Sequence, residues 1–143
     1  MSQPQQDFKN HSRYVPLFHL GLFGLLGINF AHAARKFLPF SAESFYPMSL
    51  ATALILLAWY VRAFPVTVQD RVIRLEEKLR LEKLAPELAV GFDSFAPQQW
   101  TALRFASDAE LPALARDVLA GKLVKSADIK KAIRHWRPDY LRV

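Results

Sequence analysis

A chain of 143 residues without a single cysteine holds neither a disulfide nor a thiolate metal site, and its length suits one modest domain. Its formal net charge of +6 points to anionic lipid headgroups or nucleic acid as partners. The mean hydropathy of +0.06 hides a sharp division, because two strongly apolar runs fill much of the first half and the charges crowd the second.

Residues 1–13 form a polar tail in which Lys9 and Arg13 suit a headgroup layer, followed at once by the interfacial ring of Tyr14. The first apolar run, Tyr14–Ala34, holds about 20 residues, which as an α-helix is roughly 30 Å, the thickness of a bilayer's hydrocarbon core. Pro16 fits its first turn. Gly21, Gly24 and Gly27 would weaken a helix in water but let another helix approach in lipid, and Gly27 with Ala31 forms a small-xxx-small pair. His19, Asn29 and His32 interrupt the apolar run, and polar groups in such a place face a partner or an interface. His19 and His32 are the candidate cofactor-binding residues, since a neutral imidazole can ligate the metal of a haem or chlorophyll. They stand roughly 20 Å apart along one helix, so one metal cannot take both, and hydrogen bonding to a neighbouring helix or to water is the simpler role. Ala31-His32-Ala33 imitates a signal-peptide cleavage site, but Arg35-Lys36 directly after it and a second apolar run oppose export.

The polar turn 35–44 leads to the second run, Phe45–Phe64. Ser44 is its expected cap and Pro47 lies in its first turn. Ser49 and Ala53 offer a second small-residue face for helix packing. Trp59 and Tyr60 mark the far interface, Arg62 can snorkel to it, and Pro65 is expected to kink or end the helix. Basic residues flank the outer ends of the two runs: Lys9 and Arg13 before the first, and Arg62, Arg71, Arg74, Lys78, Arg80 and Lys83 after the second. Only Arg35 and Lys36 lie in the turn, so the bias places both termini in the cytoplasm, with the hairpin in a cell inner membrane.

Residues 65–143 read as a basic helical domain. Val66–Leu84 is an amphipathic helix with a heptad-like stripe at Val68, Val72, Leu75 and Leu79, and Asp70/Arg74 and Glu76/Arg80 are spaced as i,i+4 pairs. Packing against the later helices is the simplest use of that stripe; a second copy or the membrane surface are the others. Pro86 and Gly91 close the helix, and Pro97–Ala106 forms a short one. Ser107-Asp108-Ala109-Glu110 reads as a capping box opening a helix that Gly121 stops near Ala120. Ser126 caps a last helix over Ala127–Trp136, with Ile129, Ile133 and Trp136 on a buried face. Lys122, Lys125, Lys130, Lys131, Arg134 and Arg137, with Arg142, form the basic patch for anionic lipid or a protein partner. The connector from Gly121 to Ser126 is too long for a helix-turn-helix, which argues against nucleic acid.

The chain carries no nucleotide-binding loop, zinc-protease motif, nucleophile elbow or calcium loop, so an enzyme is not expected. The fold expected is all-α: a transmembrane two-helix hairpin over residues 14–64, then an amphipathic helix and a small cytoplasmic helical bundle. The strings Asn10-His11-Ser12-Arg13-Tyr14-Val15-Pro16-Leu17-Phe18-His19, Val68-Gln69-Asp70-Arg71-Val72-Ile73-Arg74-Leu75-Glu76-Glu77, Leu103-Arg104-Phe105-Ala106-Ser107-Asp108 and Lys130-Lys131-Ala132-Ile133 with Trp136-Arg137 resemble a family of small bacterial membrane proteins of unassigned function. The resemblance implies two spans and a cytoplasmic helical tail, and supplies no site residues. The function expected is that of an accessory or assembly subunit of a larger membrane complex. A scaffold on anionic lipid, or a haem- or chlorophyll-contacting subunit, are the alternatives.

Overall fold

The computed structural model describes residues 6–11 and 14–140; Arg13 and Arg142, assigned above to the tail and the basic patch, lie outside them. Among the described residues the regular elements are all helices, with one isolated bridge between Ala106 and Trp136 and no β-strand. A π-helical turn, Leu17–Leu22, runs into α1 (Phe23–Arg35). Then follow α2 (Ala42–Leu84), a 3-10 segment Pro86–Ser94, α3 (Pro97–Leu103), α4 (Leu111–Leu119) and α5 (Ser126–Ala132). The chain divides into two compact units, an apolar one over residues 14–65 and a helical one made of residues 6–11 with 66–140.

In the apolar unit, helices Leu17–Arg35 and Ala42–Leu84 each contain an 18-residue window long and apolar enough to cross a membrane. Only 6% and 11% of those windows are buried. Leu17, Leu20, Leu25 and Ile28 on the first, and Leu50, Leu57 and Trp59 on the second, are mostly exposed. The buried side chains are the smallest ones, Ala33, Ala51 and Ala58. Gly27, Ala31, Ser49 and Ala53 are all exposed, so the faces buried within the unit differ from those the small-residue spacing suggested. Small-xxx-small spacing marks a face that permits close approach, and bulkier neighbours decide which such face is used.

Two boundaries differ from expectation for local reasons. The start of α2 is capped by Ser41, three residues before the expected cap. Its carbonyl accepts the first helical bond from Phe45 at 2.9 Å, its Oγ accepts from the Ser44 amide at 3.2 Å, and the Ser44 Oγ accepts from the Ser41 amide at 3.0 Å. That is a reciprocal capping box with Ser44 as its far member. At its other end α2 runs unbroken through Pro65 to Leu84. A proline deprives the helix of one donor. Residues 66–84 contain no second breaker, and one face of them is held by the helical unit, so the chain continues.

The core of the helical unit gathers Leu81 from α2 and Ala85 just after it, Phe92 and Phe95, Trp100 and Leu103 from α3, Leu111, Leu114 and Val118 from α4, and Ile129 and Ile133 around α5. Trp100 is completely buried and meets Phe95 and Phe92 at ring centroid distances of 4.8 and 5.6 Å. The stop at Gly121 is a Schellman turn. Gly121 has φ +72°, its amide donates to the Val118 carbonyl at 3.0 Å, and the Lys122 amide donates to that of Asp117 at 2.9 Å. Helix α5 ends sooner than expected, at Ala132, and Ile133 is extended. Trp136 therefore stands on an extended segment, where the Arg137 amide donates to the Phe105 carbonyl at 2.8 Å and its ring lies 5.0 Å from that of Phe105. Pairing with 105–107 satisfies the backbone here, and Pro138 already disfavours helix at its predecessor.

Because a left-handed φ strains any residue bearing a Cβ, Gly121→Ala is expected to destabilise the helical unit by about 1 kcal/mol. Thermal unfolding of the full chain in detergent, followed by circular dichroism, measures it.

Candidate functional site

The face of α2 that joins the helical unit carries charge in its centre. Glu77 is 4% exposed. The Arg80 guanidinium donates to Glu77 Oε2 at 2.8 Å, to Asp108 Oδ1 at 2.7 Å through Nε, and to the Ala106 carbonyl at 2.8 Å. Arg137 approaches the other Glu77 oxygen at 3.4 Å. Arg104, also buried, pairs with Asp139 at 2.9 Å and lies over the Phe105 ring at 4.3 Å. Glu77, Arg80, Arg104, Arg137 and Asp139, with Val72, Leu79, Lys83 and Tyr140, border a groove of about 920 Å³. Its arginines are engaged by carboxylates of the chain itself, so the groove is held rigid by ion pairs. The i,i+4 partner expected for Arg80, Glu76, is exposed; the guanidinium instead takes Glu77, where burial strengthens the contact, and the exposed Asp108.

Two clasps close the unit. Ser107 does not cap α4, for its buried Oγ has no hydrogen-bond partner among the described residues and its amide donates to the His135 carbonyl at 3.1 Å. Glu110, the expected far member of that box, accepts instead from the amides of Arg134 and His135 at 3.3 and 3.0 Å and lies 3.1 Å from His135 Nδ1. Burial pushes the Glu110 carboxyl up, but those hydrogen bonds, the His135 amide foremost, together outweigh it and hold the group below the usual carboxylate value of 4.5.

The second clasp is the amino-terminal segment. Gln6 Nε2 donates to the Asp139 carbonyl at 3.1 Å, and the Asp139 amide donates to Gln6 Oε1 at 2.8 Å. His11 is packed among Phe8, Phe105 and Trp136. Its Nδ1 lies 2.9 Å from the Phe8 carbonyl and its Nε2 lies 3.0 Å from Lys130 Nζ. One tautomer fits both contacts: Nδ1–H donates to Phe8 while neutral Nε2 accepts from the ammonium. Burial, followed by the Lys130 charge, lowers the His11 pKa from 6.5.

The residues singled out in the sequence are dispersed. His19 lies in the π-helical turn, stacked on Tyr14 at 4.8 Å, with Nδ1 2.9 Å from the Val15 carbonyl. His32 is exposed in the last turn of α1. Arg62 is half-buried on α2. In the basic patch, Lys122 is paired with Asp117 at 3.0 Å, Lys130 with His11, Arg137 with Glu77, and Lys131 lies 5.9 Å over the Phe8 ring. Lys125 and Arg134 are exposed, with no side-chain ion pair found among the described residues. No group of three or more His, Asp or Glu suited to a metal occurs among the described residues. What the sequence reading missed was Glu77, Arg104, Glu110 and His11. The one available signal was Arg104, a lone charge inside the apolar string Trp100–Ala106.

These features define an all-helical protein with two helices fit by length and composition to cross a membrane, and a second unit locked by buried ion pairs. The chain belongs to DUF6526, a family of unknown function, whose model matches residues 1–143. No curated protein and no solved structure matches it.

Arg80→Ala leaves Glu77 buried with only the longer Arg137 contact, and a loss of about 3 kcal/mol in unfolding free energy is expected; denaturant unfolding of the full chain in detergent checks it. Acid acts on the clasps in order. The folded state binds a proton at His11 more weakly than the unfolded chain does, so docking of residues 6–11 weakens as pH falls below 6.5. Glu110 adds stability above 4.5, which is lost as pH drops through its lowered folded value. Hydrogen exchange should show residues 6–11 losing protection at higher pH than residues 134–135, and His11→Gln should remove the first step.

Proposed function

We propose that the protein is a non-catalytic integral membrane protein serving as an accessory or assembly subunit of a larger membrane complex. Its apolar unit spans a bacterial inner membrane twice, and both termini are cytoplasmic. The observation that carries this reading is the inverted burial of the apolar helices. A core helix of a water-soluble protein buries its apolar side chains, whereas these windows bury only 6% and 11% and turn leucines and aromatics outward. Lipid is the solvent in which that arrangement is stable.

Two further features support it. Residues 6–11 are docked onto the helical unit, which fits an even number of crossings between them and residue 66. The excess of Lys and Arg beside that unit over Arg35 and Lys36 favours the cytoplasmic side. Asn29 and His32 are exposed on an otherwise apolar helix, with no side-chain hydrogen bond to either found among the described residues. Lipid tails cannot satisfy such groups, and another subunit can.

Native membranes washed with alkaline carbonate test the first half: retention of the chain in the pellet is expected, and its release overturns the reading. Mild-detergent purification tests the second. The chain is expected to elute with other polypeptides, and the double substitution Asn29→Leu with His32→Leu should reduce their recovery several-fold without releasing the chain from the membrane. Purification with no other polypeptide overturns the subunit role.

A further inference from the structure

Downstream of Pro65, α2 is apolar on two opposite faces. One face, with Ile73, Glu77, Leu81 and Ala85 at its end, is buried in the helical unit. The other is the heptad stripe Val68, Val72, Leu75 and Leu79, about 170° round the helix from it, with Val72 and Leu79 also edging the groove described above. That stripe does not pack on the later helices: its residues are 60%, 49%, 59% and 51% exposed. Four large aliphatic side chains in one exposed row are more than scattered surface apolarity and mark an interaction surface.

The flanks of the stripe indicate what covers it. In heptad lettering Val72 and Leu79 take a, Val68 and Leu75 take d, Arg71 takes g and Glu76 takes e. Across a parallel, in-register pair of identical helices, g of one chain faces e of the next heptad of the other. Arg71 then meets Glu76 of the second copy, twice by symmetry. Both side chains are exposed and form no ion pair among the described residues, because Arg80 is taken by Glu77 and Asp108. Lys78, the next g residue, faces Lys83 in that register, but its charge is already offset by Asp93 at 3.6 Å. An antiparallel pair would set like flanks against each other, Arg71 and Lys78 on one side.

We propose that the stripe is a homodimer seam, a parallel α2–α2 contact between two copies of this chain. The parallel register rests on the membrane reading above, since two copies inserted with one topology present α2 in the same direction. The seam spans barely two heptads, too short to hold in dilute solution. Confinement of both copies to one membrane raises their effective concentration and makes a short seam sufficient.

The absence of native cysteine makes the test clean. Single cysteines are placed at Val72, Leu75 and Leu79, and at Arg74 off the seam, in the full chain in its own membranes. Copper-phenanthroline oxidation then reads which positions come within disulfide reach, roughly 4–7 Å between Cα atoms. The expected result is dimer yield at the three seam positions several-fold above that at Arg74. Arg71→Glu or Glu76→Arg alone should lower the yield at Leu75, and the two together should restore it. A flat or absent pattern in a chain that carbonate leaves in the membrane overturns the seam, which is also the outcome if a different protein or the headgroup layer covers the stripe. Release by carbonate overturns the membrane reading instead, and the same cross-linking on the released chain still decides the seam by its periodicity.

Discussion

One buried carboxylate organises the helical unit. Glu77 has almost no access to solvent, and a charge so placed is tolerable only where cations and donors converge on it. Arg80 and Arg137 do so from α2 and from the extended segment after α5. Arg80 in turn reaches Asp108 and the Ala106 carbonyl. Through this one group, α2 is fastened to the turn after α3 and to the last described residues. The apolar core beneath it supplies the bulk of the burial, with Trp100 at its centre. The ion pairs fix how α2 is oriented against that core, because a small rotation of the helix would strand the carboxylate.

How much of this could be read from the sequence depends on how local each signal is. Length and hydropathy sufficed for the two apolar helices, and Gly121 was correctly a stop, since a left-handed residue after a helix is a property of a few residues. The signals that failed were those with a competing partner far along the chain. Ser107 and Glu110 have capping-box spacing, yet Glu110 finds better donors at residues 134–135. Glu76 has the right spacing for Arg80, yet Asp108 and the more buried Glu77 win it. The Ile129, Ile133, Trp136 pattern implied a longer α5, yet the backbone there pairs with 105–107. A heptad stripe announces an apolar face without saying whose surface covers it, and here the later helices chose the opposite side of α2. Of the candidate site residues, two basic ones hold parts of the unit together: Lys130 through His11 and Arg137 through Glu77.

The two units solve opposite solvation problems with the same kind of element. In the helical unit the large side chains converge and the charges either pair or face outward. In the apolar unit the buried side chains are three alanines, Ala33, Ala51 and Ala58, while most of the leucines and aromatics are exposed. The first arrangement is stabilised by water's exclusion of apolar surface, whereas the second leaves such surface exposed. Helix α2 belongs to both: its first part is apolar nearly all round and its second carries apolar rows on two opposite sides, so over its whole length it shows little amphipathicity.

The pairing of Gln6 with the backbone of Asp139 closes a separation of 133 residues. A ribosome makes the six residues from Gln6 to His11 before either greasy helix exists, and their partners Phe105, Lys130, Trp136 and Asp139 follow only after both. During that interval the segment has no shelter of its own. Translation speed and whatever chaperones attend the nascent chain therefore bear on this short stretch.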